Sequence, residues 1–520
     1  MGESAQRPVV DFLLDPKTHG LGPGGVEHVE THIAIVVLAG DRAYKLKRAV
    51  RLPFLDFYTL AQREAACRAE IRLNRRTAPD IYLGVVAITR EADGSLALGG
   101  QGTAIDWVVM MRRFDQSRLL DRLAQRGELG AELALSLAAT IVRFHEQAEP
   151  VAEGADAAEY RRLIEVNDDM LRRFADNVFE AEAVAELRQL SEQRLETQAS
   201  LIAARMADGR VRHCHGDLHL RNIFLDGERP VLFDAIEFDD RLARTDVIYD
   251  LAFLLMDLWH RGLTAFANAV LNRYLLLSGD YAGLALMPLF LSLRAAIRAH
   301  VSATTAQGAE EAGAAALLRD EARAYLALAH EFLRPATPRL IAVGGYSGSG
   351  KSTLARGLAP ALPPPPGAVV ARSDEIRKHL MGVAPESPLG ETAYAPSVSR
   401  RVYAEMRRVA AEVLAAGYTA VADAVHDRAT ARRQLAALAR RAGVAFHGFW
   451  LDAGPEVMAR RIDARTSDAS DATAAVMHEQ RRRGRTAGNW QRLDAEHGAG
   501  AVLTAALGHL SASAVEHDTD

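Results

Sequence analysis

Cysteine is nearly absent: Cys67 and Cys214 are the two among 520 residues. Two thiols cannot staple a scaffold, and these lack metal-ligand spacing, so a reducing, cytoplasmic setting is expected. An excess of either charge is also missing. The net charge of -5 argues against a whole-protein role in binding nucleic acid or an anionic membrane. Long apolar runs are lacking as well; residues 282–293, among the longest, fall short of a bilayer and read as a buried helix. The opening Met1-Gly2-Glu3-Ser4-Ala5-Gln6-Arg7 has no basic-then-apolar export pattern, and Gln6 stands where a myristoylation signal needs Ser or Thr. No membrane anchor and no internal repeat is expected.

What the chain does have is an ordinary globular balance, 49% hydrophobic and 25% charged residues. Its length exceeds one comfortable core, which predicts two or three domains. Residues 31–38 and 42–46 are β-branched or alternating and are split by Gly40-Asp41, the pattern of two strands and a turn. A helix over 59–76 and strands at 82–89 and 105–111 follow, with turns at Gly94-Ser95 and Gly99-Gly100. Residues 117–207 carry apolar positions three and four apart and predict helices. Asp226-Gly227, between 222–225 and 230–233, predicts a hairpin, and after Asp246 the pattern is helical to about Leu333. A small sheet with one helix, then a mostly helical body, describes a two-lobed α+β unit.

At Leu333-Arg334-Pro335-Ala336-Thr337-Pro338 two prolines end the helix and an apolar strand begins at 340–343. This sets a boundary between a domain of residues 1–334 and one of 335–520. Strand candidates at 369–372, 419–422 and 446–451 alternate with helices, which predicts an α/β fold with a parallel sheet covered on both faces. The proline run 363–366 reads as a rigid loop.

The second domain opens on Gly345-Tyr346-Ser347-Gly348-Ser349-Gly350-Lys351-Ser352-Thr353, a match to G-x-x-x-x-G-K-[ST] lying between a strand and a helix. The glycines Gly345, Gly348 and Gly350 let the backbone turn successive N–H groups onto phosphate oxygens, so the nucleotide site spans Ser347, Ser349 and Thr353 as well. Lys351 brings a point charge to the β and γ phosphates, Ser352 offers a hydroxyl to Mg²⁺, and the helix dipole faces the same anion. Arg372-Ser373-Asp374-Glu375-Ile376-Arg377 follows the second strand at the ligand-binding edge of such sheets. Asp374 is suited to orient or deprotonate an acceptor hydroxyl, or to cap a helix; Arg377 either holds an anionic part of a substrate or is solvated. Asp423 ends the next strand and suits Mg²⁺ or its waters, or else caps the following helix. Arg460, Arg461 and Arg465 lie on one predicted helix; Arg461 and Arg465 share a face, either as a lid over transferred phosphate or as surface arginines.

These residues, with Asp468-Ala469-Ser470-Asp471-Ala472 and Gln480, resemble small P-loop kinases, the gluconate kinase and zeta-toxin-like group with its AAA-type ATP-binding fold. The resemblance covers nearly all of 338–520 and implies ATP with Mg²⁺, catalysis by Asp374 and Lys351, and a small hydroxyl compound as acceptor.

A second constellation is His215-Gly216-Asp217-Leu218-His219-Leu220-Arg221-Asn222, followed by Leu232-Phe233-Asp234. Phosphoryl transfer to a hydroxyl needs a carboxylate to orient the acceptor and oxygen ligands for Mg²⁺. Asp217 suits the first task, and Asn222 with Asp234 the second, with Glu237 an alternative ligand. His213, Cys214, His215 and His219 do not fit a zinc pattern. The H-x-D-x-x-x-x-N run and the later Asp resemble the aminoglycoside phosphotransferase and choline kinase group, relatives of protein kinases, over 25–330. By that resemblance Lys45 in Ala43-Tyr44-Lys45-Leu46-Lys47 pairs the ATP phosphates, Glu70 or Glu64 pairs with the lysine, and Asp250 and His215 brace the catalytic loop. One departure is plain: no G-x-G-x-x-G precedes Lys45, and Gly22-Pro23-Gly24-Gly25 comes too early.

The reading is a bifunctional ATP-dependent phosphotransferase, resembling bacterial proteins that fuse these two domains. Its alternative is a regulatory nucleotide-binding protein with a degenerate kinase-like module and an ATP or GTP switch. A motor-type ATPase needs trans-acting arginines that a single chain does not reveal.

Overall fold

The structure is a computed structural model describing residues 3–31, 33–52, 55–464, 469–482 and 487–515. Packing divides the chain into a unit of Met1–Glu159 with Ser200–Leu254 and a second of Tyr160–Ala199 with Leu255–Asp520. The linker expected at 334/335 therefore lies inside the second unit.

In the first unit, helix α1 (Glu3–Leu14) leads into strands β1 (Val26–Glu30), β2 (Ala34–Ala39) and β3 (Arg42–Lys47). Helix α2 (Leu60–Asn74) follows, then β4 (Tyr82–Arg90), β5 (Leu96–Leu98) and β6 (Thr103–Arg112). The six strands form an antiparallel sheet in the order β1-β2-β3-β6-β4-β5. Alternation gives it two buried faces. Leu38, Ala43, Val109 and Met111 meet Cys67 and Ile71 of α2, while Ile35, Val37, Tyr44 and Leu46 join the cluster that holds Val9 and Leu13 of α1. The α2 start is legible in sequence: Thr59 Oγ1 accepts from Gln62 N at 3.2 Å, and Gln62 Oε1 accepts from Thr59 N at 2.9 Å, a capping box.

Helix α3 (Ala131–Gln147), the hairpin β7 (Ile223–Asp226) and β8 (Arg229–Leu232), and α4 (Val247–His260), which runs on past Leu254, surround the loop at 215–222. Elements α1, β1 and β5 escaped the sequence reading. Pro8 interrupts the helical signal of α1, and four of the five β1 residues are exposed and mostly polar.

The second unit contains α5 (Thr264–Ser278), α6 (Met287–Gln307) and α7 (Ala312–Leu333), then β9 (Arg339–Gly345) and α8 (Lys351–Leu358). Next come β10 (Val369–Arg372), α9 (Ser373–Leu380), α10 (Pro396–Ala415), β11 (Ala420–Asp423) and β12 (Ala445–Asp452). Helices α11 (Pro455–Asp463) and α12 (Ala474–Arg482), strand β13 (Gln491–Asp494) and helix α13 (Ala499–Val515) complete it. All five strands run parallel in the order β10-β11-β9-β12-β13. Because β11 and β12 lie on opposite sides of β9, the carboxyl end of β9 is a topological switch point, where such sheets bind ligands.

The apolar segment at 282–293 proves longer than its sequence suggested. Helical residues Ala282–Gln307 are long and apolar enough to cross a membrane by length and composition, and 78% of their most apolar window is buried inside the protein. The outer edge of β10 is also covered. Asn272 Oδ1 accepts from Val370 N at 2.7 Å, and Asn272 Nδ2 donates to Ala368 O at 3.2 Å. Asn268 Nδ2 donates to Pro366 O and Ala368 O at 2.9 and 3.0 Å. Two asparagines of α5 thus act toward this edge as a neighbouring strand would.

Candidate active sites

The first site grows from the alternation of β3, which turns Lys45 and Lys47 toward α2. Glu70 of α2 is fully buried and accepts from Lys45 Nζ at 2.9 Å while pairing with Lys47. Lys45 Nζ also lies 2.5 Å from Asp234 Oδ1. Lys47 has no exposed surface and bridges Glu70 and Glu237. Burial alone would lower the Lys45 pKa, but the carboxylates of Asp234, Glu70 and Glu237 outweigh it and hold the ammonium well above its usual value. Burial works against ionised Glu70 too, yet Lys45 and Lys47 hold it at about 2. Glu237 is pushed upward by its burial. Glu64 instead pairs with Arg68 at 2.8 Å on the outer face of α2, so Glu70 is the lysine's partner.

The loop at 215–222, which leads into β7, is fixed by a buried aspartate. Asp250 of α4 accepts from His215 N at 3.2 Å and Gly216 N at 2.8 Å, and His145 Nε2 of α3 lies 3.1 Å away. His215 is buried, which lowers its pKa and keeps the ring neutral, with Nε2 2.9 Å from Phe233 O. Asn222 Nδ2 donates to Asp217 Oδ2 at 2.7 Å and Asp217 O at 2.9 Å, and His219 Nε2 is 3.3 Å from Asp217 Oδ2. Asp234 follows β8 with φ 59, and its N–H donates to Tyr82 Oη at 3.1 Å. Left-handed backbone at a non-glycine residue is strain of the kind concentrated at functional sites. Asn222 Nδ2 also lies 3.5 Å from Asp234 O, which joins the expected set of Lys45, Glu70, Asp234, Asn222 and Asp217. His145, Cys214 and Asp250 have donor atoms within 4.8 Å of one another, but Asp250 is engaged by the loop amides, and His213, His215 and His219 form no such group among the described residues.

At the second site the P-loop wraps the carboxyl end of β9. Gly348 has φ +82, and a Cβ there would sit 2.5 Å from Met458 O of α11, so glycine is required twice over. Lys351 Nζ donates to Tyr346 O at 3.0 Å, and Ser347 N donates to Gln480 Oε1 at 2.9 Å. Ser349 Oγ is buried without a hydrogen-bond partner. Ser352 is half-buried and Thr353 exposed on the first turn of α8. Asp423 ends β11 with Oδ2 buried and lacking a hydrogen bond, 3.7 Å from Arg372 Nε. It does not cap the next helix, whose N-cap is Arg428.

Asp374 is not an N-cap either: Arg372 holds that position and Asp374 sits in the first turn of α9, half-buried. Nor is Arg377 solvated. It is 6% exposed, donates through Nη1 to Ala393 O at 2.7 Å, and lies 4.7 Å from the Tyr394 ring centre. Arg461 is brought to the loop, with Nη1 3.9 Å from where a Cβ of Gly350 would be, while Arg460 is exposed. Arg465 and Asp468 lie outside the described residues.

Comparison with known proteins matches residues 38–287 to the phosphotransferase enzyme family and residues 340–486 to the AAA domain family. A protein of Mycobacterium tuberculosis (strain ATCC 25618 / H37Rv), "Uncharacterized protein Rv2004c", is 36% identical over 461 residues, covering 86% of this chain and 88% of its own. "Uncharacterized protein Mb2027c" of Mycobacterium bovis matches to the same extent. This chain belongs to the Rv2004c family. In this Rv2004c-family member both matched domains are of kinase type, which marks it as a phosphotransferase and implies use of ATP. Among solved structures, a choline kinase from Cryptosporidium parvum Iowa II covers 63% of this chain and 95% of its own at 9% identity and a TM-score of 0.40. A gluconokinase from Sinorhizobium meliloti 1021 covers 36% and 98% at 20% identity and a TM-score of 0.26.

Three participants in this Rv2004c-family chain were missed by sequence reasoning: Lys47 as the partner of Glu237, His145 beside Asp250, and Tyr82 beneath Asp234. Lys47 alone had a signal, since it shares a strand face with Lys45.

Proposed function

We propose that the protein is a bifunctional ATP-dependent phosphotransferase, each site moving the γ-phosphate of ATP to a hydroxyl of a small molecule. The observation that carries the first site is the linkage of Lys45, Glu70 and Asp234 beside the Asp217–Asn222 pair. Lys45 holds the ATP phosphates once they displace Asp234 from its ammonium. Asp217 orients the acceptor hydroxyl and takes its proton as the phosphorus–oxygen bond to the leaving ADP breaks. Asn222 commits its amide N–H₂ to Asp217, which leaves Oδ1 to face a cation.

At the second site the P-loop amides and Lys351 bind the phosphates, Asp374 orients the acceptor, and Arg461 neutralises transferred charge. The buried Asp423 Oδ2 without a hydrogen bond fits a Mg²⁺ ion or its water. Asn222 with Asp234, and Ser352 with Asp423, would hold Mg²⁺, which would supply charge to offset that of the phosphates.

The test is transfer from labelled ATP across a panel of hydroxyl compounds. Asp217→Ala and Lys351→Ala are expected to silence different activities; unchanged transfer in both variants would sink the proposal. One observation favours the regulatory alternative: β1 and β2 are joined by Thr31-His32-Ile33, with no glycine to fold over phosphates. A first site that binds Mg²⁺-ATP, read as thermal stabilisation lost in Lys45→Ala, supports the enzyme over that alternative.

A further inference from the structure

One short segment of the second unit touches both halves of the P-loop site. At one end Asp471 receives three donors: Tyr394 Oη at 2.7 Å, Leu389 N at 3.2 Å and Lys378 Nζ at 3.3 Å. Lys378 is 1% exposed and lies one turn after Asp374 on α9, so this carboxylate balances a buried charge next to the acceptor side. Tyr394 covers the Arg377 guanidinium, so the same carboxylate also fixes the ring over that arginine. Burial and the bond to Asp471 raise the Tyr394 pKa, keeping its hydroxyl a donor.

At the other end Gln480 Oε1 accepts from Ser347 N inside the P-loop at 2.9 Å. Between these ends α12 is anchored by Met477, fully buried in the core of the parallel sheet, and just past Gln480 Arg481 Nη1 donates to Ala453 O at 3.4 Å. A helix gripped in this way transmits a displacement at one end to the other instead of absorbing it.

We propose that residues 471–480 form a strap that registers the acceptor-side loop against the nucleotide loop, with Asp471 and Gln480 as its two positioning residues. The proposal rests on the kinase reading of the P-loop site. Filling the P-loop with phosphates shifts Ser347 and hence Gln480, and the strap carries that shift to Asp471 and the loop at 389–394. Nucleotide binding therefore orders the acceptor loop before any acceptor arrives.

The experiment uses the full chain carrying Lys45→Ala and Asp217→Ala, so that ATP neither binds nor turns over at the first site and bound ATP reports the P-loop alone. Amide hydrogen exchange at 389–394 is followed with and without saturating Mg²⁺-ATP, and bound labelled ATP is measured in the same samples. Exchange is expected to slow by about fivefold or more on ATP addition, the lower bound of ordinary coupling between sites. In Asp471→Asn and in Gln480→Ala, each saturated with ATP, that slowing is expected to vanish. Asp471→Asn leaves Lys378 buried without its carboxylate; if that variant fails to fold, Tyr394→Phe removes a single bond of the latch and is expected to reduce the slowing. ATP-dependent slowing that persists in the strap variants overturns the strap, as does its absence in a parent chain that binds ATP. Labelled ATP retained equally by Lys351→Ala would instead overturn the kinase reading itself.

Discussion

Replacing Glu70 by Gln removes one negative charge from the centre of a buried network while keeping its shape. Glu70 is fully buried between Lys45 and Lys47. After the exchange, one of its two oxygens becomes an N–H₂ group facing an ammonium, donor against donor. Removing one partner of a buried ion pair costs about 3–5 kcal/mol, and here the remaining pairs, Lys45–Asp234 and Lys47–Glu237, stay intact, so the lower end applies. First-site turnover is expected to fall about 100-fold, since each 1.36 kcal/mol of lost positioning is a factor of ten and about 3 kcal/mol is lost. The assay is hydrogen exchange in 42–47 and 60–74 together with turnover in a Lys351→Ala background. Glu64→Gln, on the exposed i,i+4 pair with Arg68, is the control and is expected to change stability by less than about 0.5 kcal/mol. The charge also has a pH signature. Folding holds Glu70 at about 2 against an ordinary 4.5, so its contribution is fully present above about 4.5 and is lost as pH falls through about 2. Glu70→Gln abolishes that slope. Exchange rates in both segments indistinguishable from wild type would refute the network argument.

Two further outcomes are expected. His426 is fully buried, which lowers its pKa from 6.5 to about 4, so the unfolded chain takes up a proton before the folded one does. Stability of the P-loop sheet is expected to decline between pH 6.5 and 4 by about 3 kcal/mol, and His426→Phe to flatten that decline in urea titrations followed by Trp450 and Trp490 fluorescence. Asn272→Ala frees Val370 N at the edge of β10 and leaves Ala368 O with its bond from Asn268 alone; faster amide exchange at 368–372 and a cost of about 1–3 kcal/mol are expected, and unchanged exchange would show that the Asn272 contact is idle.

Much of this molecule was legible because its chemistry is local in sequence. The P-loop is contiguous, the Asp226-Gly227 turn sits between its two strands, and the period-two pattern at Ala43–Lys47 foretold that Lys45 and Lys47 share a face. Glu70 over Glu64 could not be chosen from a helix in which both are glutamates; burial chose it. The Lys47–Glu237 pair joins β3 of the six-stranded sheet to the loop after β8, and no local pattern links positions so far apart. Strand β13 was hidden by its polarity, with three of its four residues exposed. The readings of Asp374 and Asp423 as caps and of Arg377 as solvated had no local test, since capping depends on where the helix starts and solvation on what packs above it.

The asparagine clamp of α5 on β10 bears on how the chain is made. Ribosomes deliver α5 before β10, so the cover for that edge exists when the strand first emerges. A gene rearranged to start at residue 335 and end at 334 would encode the same contacts in the opposite order. Its nascent product would hold an uncovered edge strand through much of synthesis, a template for pairing with other chains. Such a permuted chain is expected to aggregate more during synthesis than the chain in its present order.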